Sequence, residues 1–332
     1  MRDPDFWWRK PSIAAALLAP LAAGYGAIAA SRMAKAGARA GVPILCVGNF
    51  TVGGAGKTPA AIALARILTE AGERVFCLSR GYGGSVSGPK LVDEHDTAAQ
   101  VGDEPLLLAR VAPTIVAHDR VAGAQLAQAK GASIVVMDDG LQNGAIAKDI
   151  TLAVVDGRRG IGNRCVFPAG PLRAPLAAQL AHAHALLLVG DEGTGAREVV
   201  VAARARGLPV LYGRLVPDST AIATLRPRKA LAFAGIGDPE KFFATVEHAG
   251  IGIAARKSFP DHHHYTAEEA AELVMNAERE ALTLLTTEKD HARMRGDPAL
   301  AALCARARVL PVTLVVEQAT ELRTLALAAL KR

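Results

Sequence analysis

The chain has 332 residues, 51% of them apolar, 4% aromatic and 21% charged, with a formal net charge of +6 at pH 7. That composition supports a sizeable buried core in two lobes, and it excludes disordered, collagen-like, coiled-coil and low-complexity classes. The basic balance favours an anionic partner: nucleotide, acidic phospholipid, phosphorylated substrate or, with no RNA-binding signature to support it, nucleic acid.

At the N-terminus, Arg9 and Lys10 precede an apolar stretch from Ile13 to Ala30. A cleaved signal peptide has a similar outline, but Asp3, Asp5 and the Trp7-Trp8 pair argue against it. The length permits a spanning helix, yet Pro20, Gly24 and Gly26 interrupt a stretch made mostly of alanine. The preferred reading is a helix lying in a membrane interface, with Phe6, Trp7 and Trp8 at headgroup depth and Arg9, Lys10, Arg32, Lys35 and Arg39 facing anionic lipid. A helix packed on the protein's own core is the plainer alternative.

From Val42 onward, short β-rich runs alternate with helical segments, as in a mostly parallel sheet with crossover helices. The predicted strands are 43–49, 74–80, 113–119, 133–139, 151–157 and 183–190, each nearly continuous in apolar residues and so covered on both faces. Alternation continues through LPVLYGRL, KALAFAGI, LTLLTTEK and RVLPVTL. The expected organisation is an N-terminal helix over 1–40, a nucleotide-binding core over 41–215 and a smaller α/β lobe over 216–332. Cys46, Cys77, Cys165 and Cys304 are widely spaced and read as buried thiols in a reducing compartment.

The first predicted strand ends at Asn49 and runs into Thr51-Val52-Gly53-Gly54-Ala55-Gly56-Lys57-Thr58, after which Pro59 opens a helix. This is the context of a phosphate-binding loop. Glycines let backbone amides curl around phosphate oxygens, Lys57 reaches the β and γ phosphates, and Thr58 can hold Mg²⁺. Thr51 stands where the strict pattern has its first glycine. Asp138 and Asp139 close the IVVM run in the way a metal-binding carboxylate closes the strand beside such a loop, with either able to serve Mg²⁺.

In order along the chain, GNFTVGGAGKTP, SRGYGG, VGDEPLLLA, DDGLQN, FPAGPLR, AFAGIGDPEKFF, FPDHHHYT and LLTTEKD together resemble the tetraacyldisaccharide 4'-kinase family. The resemblance spans nearly the whole chain, including the apolar first helix. It implies a P-loop NTPase-like α/β core and ATP-dependent phosphorylation of the 4'-hydroxyl of the tetraacylated lipid A disaccharide 1-phosphate, at the cytoplasmic face of a bacterial inner membrane.

At matching positions, the resemblance implies ATP held by residues 51–58, with Lys57 on phosphate. Mg²⁺ would be served by Thr58, Asp138 and Asp139, and Asp103 would be a catalytic carboxylate paired with His262. Such a dyad can take the proton of a sugar hydroxyl as the phosphoryl group arrives. Without the family, Asp103 reads as a helix cap before Glu104-Pro105, and the His262–His264 run as a solvated loop. Arg173 can stabilise the transferring charge or grip the substrate's 1-phosphate, and Gln142 can hydrogen-bond in the nucleotide site. The family pattern departs at Leu141, Asn143 and Ala174. Two rivals share the loop: a membrane-associated ATPase switch of the partitioning type, and a soluble small-molecule ligase or kinase. Neither has reason to carry the AFAGIGDPEKFF and FPDHHHYT segments.

Overall fold

The computed structural model describes residues 4–9 and 12–331. Asp3 and Lys10, both weighed in the sequence reading, lie outside the described residues. Eight strands are introduced by residues 44–217: β1 (Ile44–Asn49), β2 (Val75–Ser79), β3 (Lys90–Leu91), β4 (Thr114–Val116), β5 (Ile134–Asp138), β6 (Ile150–Asp156), β7 (Ala185–Val189) and β8 (Val210–Pro217). The remainder are β9 (Ala230–Ala234), β10 (Ile253–Ser258), β11 (Thr283–Thr286), β12 (Arg308–Val309) and β13 (Val312–Val316). They form a nine-stranded sheet of order β13-β8-β7-β6-β1-β5-β2-β4-β3 and a four-stranded sheet of order β10-β9-β11-β12.

The apolar runs become parallel strands because helices cover both sheet faces. Along β1, Leu45 and Val47 pack with helix α2 (Lys57–Glu70) and the helix Ala319–Leu327, while Ile44 and Cys46 face the helix Arg120–Ala129. β1 lies between β5 and β6, where the strand order reverses. In open α/β sheets that switch point opens a crevice at the carboxyl ends of the strands, and β1 and β5 deliver residues 50–58 and Asp138-Asp139 to it.

The RVLPVTL run is two strands, not one. β12 pairs with β11 in the small sheet, Pro311 breaks the run, and β13 pairs antiparallel with β8 in the large sheet. The final strand and helix therefore return to the larger sheet, across the boundary expected at 216, and β8 itself runs two residues past it. The strand β10 was missed: IAARKS lies at an edge with only alternate residues half-buried, so it carries no apolar run.

Helix α1 (Ile13–Met33) is continuous through Pro20, Gly24 and Gly26, and Ser12 caps it by accepting from the Ala15 amide. It is long and apolar enough to cross a membrane by length and composition. The residues it turns to the protein are mostly small: Ala15, Ala22 and Gly26 are buried along with Met33 at its end, and Gly26 lies against Pro175 and Val166. Most of its large ones point away, with Ile13 82% and Leu17 76% exposed, followed by Leu21, Tyr25 and Ile28. A core-packed helix would show the opposite arrangement.

Trp7 departs from the expected headgroup position. It is buried, donates from Nε1 to the Pro168 carbonyl at 3.1 Å and meets Phe167 edge-on, so it staples the N-terminus to the loop before Arg173. Arg159 lies over the Trp8 ring. Cys46 and Cys77 are buried, with burial pushing each thiol up to about 12, whereas Cys165 and Cys304 are only half-buried.

Candidate active site

The phosphate loop is strapped from beneath by the FPAGPLR segment. Val52 donates to the Pro171 carbonyl at 2.8 Å, Arg173 N donates to the Phe50 carbonyl at 2.9 Å, and Thr51 pairs with Leu172. Gly56 adopts φ 89° as the residue before α2, a conformation open to glycine at little cost. Thr51 is buried behind the loop, its carbonyl accepting from Asn49 Nδ2 at 2.7 Å and Arg173 Nε at 2.9 Å. It does not line the cleft, whereas residues 52–58 do.

The paired aspartates at the end of β5 have opposite environments. Asp139, at φ 54°, takes a 2.7 Å hydrogen bond from Arg173 Nη1 and lies 3.7 Å from Lys57 Nζ. Burial opposes its ionisation, but Lys57 and Arg173 win and hold it well below the usual carboxylate range. Asp138 is buried with both oxygens unpartnered among the described residues. Burial, then Glu104 and Asp139, push it up to about 7. Lys57 is itself lowered by burial, against the pull of Asp139.

Gln142 is already engaged by the protein. Its Nε2 donates to the Asn49 carbonyl and Gln179 Oε1, and its Oε1 accepts from Arg173 at 3.4 Å. This side chain frames Arg173 and the root of the loop.

Asp103 and His262 meet, although 159 positions separate them in the sequence numbering. His262 Nδ1 lies 3.6 Å from Asp103 Oδ2, an ion-pair distance longer than a hydrogen bond. Asp103 is 2% exposed and sits one layer behind the cleft, while His262, at φ 54°, lines it and packs against the exposed Tyr82 ring at 4.8 Å. Burial raises the Asp103 carboxyl, yet His262, Lys289 and Arg293 together hold it well below the usual range. Burial likewise disfavours the charged His262, and Asp103 outweighs it to give a net rise. The helix-cap reading of Asp103 is not realised: Gly102 is the N-cap with no side-chain capping bond, Asp103 is the first helical residue, and its Oδ1 accepts only from the neighbouring Glu104 amide at 2.8 Å. His263 is turned away, stacked on Phe259 and bonded to Glu269.

Sequence reasoning missed the cations behind the dyad. Arg293 Nε donates to Asp103 Oδ2 at 2.8 Å, and Lys289 Nζ donates to Glu104 Oε1 at 2.6 Å. Glu104 Oε1 also accepts from Thr58 Oγ1 at 3.2 Å. LLTTEKD contains Lys289, and the i, i+4 spacing to Arg293 was the available signal. A second set of ion pairs ties the other flank: Lys241 to Asp156 at 2.6 Å, and Arg158 and Arg159 to Asp238. Between these flanks, a Cβ on Gly237 would stand 2.9 Å from the Gly54 amide nitrogen. The turn before Pro239 therefore rests directly on the phosphate loop.

The sequence model for tetraacyldisaccharide-1-P 4'-kinases matches residues 14–331. The chain belongs to this family. Tetraacyldisaccharide 4'-kinase from Rhodopseudomonas palustris (strain BisB5) is 54% identical over 324 residues, covering 97% of this chain and 95% of that protein. The protein of that name from Methylobacterium sp. (strain 4-46) is 56% identical over 313 residues, with 94% of each chain covered. Among solved structures, LpxK from Aquifex aeolicus in complex with ATP superposes with a TM-score of 0.71 at 25% identity, covering 95% of this chain and 99% of that one. A match of this extent does not favour the partitioning-type ATPase. The chain accommodates its departures from the expected family pattern as ordinary structure. Leu141 is buried against Gly48, Ala174 is fully buried and accepts from Gln179, and Asn143 Oδ1 accepts from the Ala145 amide in a turn at the cleft.

Proposed function

We propose that this chain transfers the γ-phosphoryl group of ATP to the 4'-hydroxyl of a tetraacylated, 1-phosphorylated glucosamine disaccharide, in the synthesis of lipid A. The observation that carries the mechanism is the convergence on one cleft of a strapped phosphate loop and a buried Asp103 backed by Arg293 and facing His262.

Lys57 and the amides of residues 53–58 neutralise phosphate charge, and Arg173, which lines the cleft, braces Asp139 and the loop. Asp103 keeps His262 oriented, so that the imidazole or the carboxylate takes the sugar proton. The donor set fits Mg²⁺: Asp138 has two unpartnered buried oxygens among the described residues, and Thr58 adds a hydroxyl to the same cleft. When bound, Mg²⁺ supplies charge neutralisation on the β and γ phosphates.

The acceptor's acyl chains belong with the exposed face of α1, and Arg32 and Lys35 at its C-terminal end line the same cleft. This supports a peripheral or monotopic position at the cytoplasmic face of the inner membrane, where ATP is available. Purified protein with ATP, Mg²⁺ and the disaccharide 1-phosphate in mixed micelles should yield a bisphosphorylated lipid, and Lys57→Ala should abolish it. ATP consumption that ignores the lipid in a folded preparation would return the chain to the ATPase reading.

A further inference from the structure

We propose that Lys289 is a positioning residue that couples the lobe built on the small sheet to the metal-binding half of the active site, acting through Glu104 on the hydroxyl of Thr58. The inference rests on the reading of Thr58 as a magnesium ligand.

The helix Glu288–Met294 follows β11, and Thr287 caps it by accepting from the Asp290 amide at 3.1 Å. Four residues apart, Lys289 and Arg293 project from one helix face a turn apart. They meet two consecutive carboxylates, Asp103 and Glu104, in the first turn of the helix Asp103–Leu108. Arg293 takes Asp103 and Lys289 takes Glu104. A single helix of one lobe thus grips the proton-accepting and metal-facing sides of the site in the other.

Glu104 Oε1 has two donors, the Lys289 ammonium at 2.6 Å and the Thr58 hydroxyl at 3.2 Å. A threonine hydroxyl has one proton and two lone pairs. Committing the proton to Glu104 leaves both lone pairs of Thr58 Oγ1 for a cation. Were Glu104 turned away, the hydroxyl would lose its acceptor and could rotate its proton toward the metal position. The Lys289 ammonium, 2.6 Å from the same oxygen, holds the Glu104 carboxylate against that hydroxyl. Outer partners of this kind orient the atoms that ligate a metal.

A plain tether between lobes predicts something different. Loss of a tether weakens nucleotide binding whether or not metal is present, whereas loss of a Thr58 orienting contact weakens only the metal-dependent part. The test is calorimetric titration of ATP into the full-length wild-type protein and Lys289→Met, with Mg²⁺ and in EDTA. The expected result is that the gain in ATP affinity produced by Mg²⁺ falls about tenfold in Lys289→Met, while affinity in EDTA is unchanged. Adding Glu104→Gln to Lys289→Met should cost little more, because both changes break one chain of contacts. Lys289→Gln is run alongside, so that loss of folding in one variant leaves the other to decide. Equal losses with and without Mg²⁺, or a wild-type Mg²⁺ response in the folded variants, overturn the inference. A wild-type protein that binds no ATP overturns the functional reading itself, which is a separate outcome.

Discussion

Arg293 donates a 2.8 Å hydrogen bond to Asp103 from 190 residues away, and the two side chains are 4% and 2% exposed. Arg293 also lies 3.2 Å from Asp290, so one guanidinium compensates two buried carboxylates. Removing one partner of a buried charge cluster leaves the others desolvated and unpaired, which costs more than the cluster contributes as a whole.

Arg293→Met should therefore destabilise the protein by about 3 kcal/mol, read from denaturant midpoints. It should also move the acid limb. The Asp103 carboxyl is depressed below its ordinary 3.8, so its contribution to stability is present above that value and is lost as pH falls through the depressed one. Arg293→Met raises the folded value, and the loss of stability and of kcat/KM on acidification should begin at higher pH than in the wild type. Superimposable acid limbs would show that Arg293 does not tune Asp103.

Asp138 gives the opposite sign. Its carboxyl binds a proton more tightly when folded, at about 7 against an ordinary 3.8. Its penalty is absent below the ordinary value, grows as pH rises between the two, and is complete above the folded one. Asp138→Asn should match the wild type in stability near about pH 4 and exceed it by roughly 2–4 kcal/mol near about pH 8. The same variant should lose Mg²⁺-supported turnover. A stability gain independent of pH would rule out this account of the buried carboxyl.

Gly237→Ala tests the seat of the small-sheet lobe on the phosphate loop. The added methyl would lie 2.9 Å from Gly54 N and 3.2 Å from Asp261 Oδ2, and the nearer contact is backbone, which cannot rotate aside. Overpacking of this kind costs about 1–3 kcal/mol. The expected readout is a raised KM for ATP with thermal stability of the large sheet little changed, and an unaltered KM would mean that the turn can move off the loop freely.

The outward face of α1 should govern membrane affinity. Leu17 and Leu21 are 76% and 64% exposed, so replacing both with Asp removes no core packing. Burying a leucine in an apolar phase is worth roughly 1.5–3 kcal/mol. Partition onto anionic vesicles should drop at least about tenfold, with denaturant stability unchanged in detergent-free buffer. Full vesicle binding by the double variant would require another anchor.

The glycine-rich loop after β1, the carboxylates at the end of β5 and the strands β1, β2 and β4 to β7 were legible in the sequence because each depends on local chemistry, while the two-residue edge strand β3 carries no apolar run and was missed. An apolar run between two helices has few alternatives to a buried parallel strand, and glycines before Gly56-Lys57-Thr58 serve a backbone curl that forms within eight residues. The outward apolar face of α1 was legible for the same reason, through composition and length.

Partnership across the lobes was not legible. Trp7 was expected in lipid and is instead stapled beneath Phe167, because a tryptophan near a terminus carries no mark of which apolar surface it will meet. Pro311 splits a uniform apolar run between two sheets, which no window of sequence reports. Lys289, Arg293, Lys241 and Asp156 were given no role in the sequence reading, because the partners that make them matter lie across the two sheets: Lys289 meets Glu104, Arg293 meets Asp103, and Lys241 meets Asp156. Sequence by itself determined the glycine-rich loop, whose residues 51–58 are neighbours along the chain. Tertiary structure decided the Asp103 end of the cleft and its support, because Asp103, His262 and Arg293 become a unit only when segments more than a hundred residues apart are packed together and water is excluded between them.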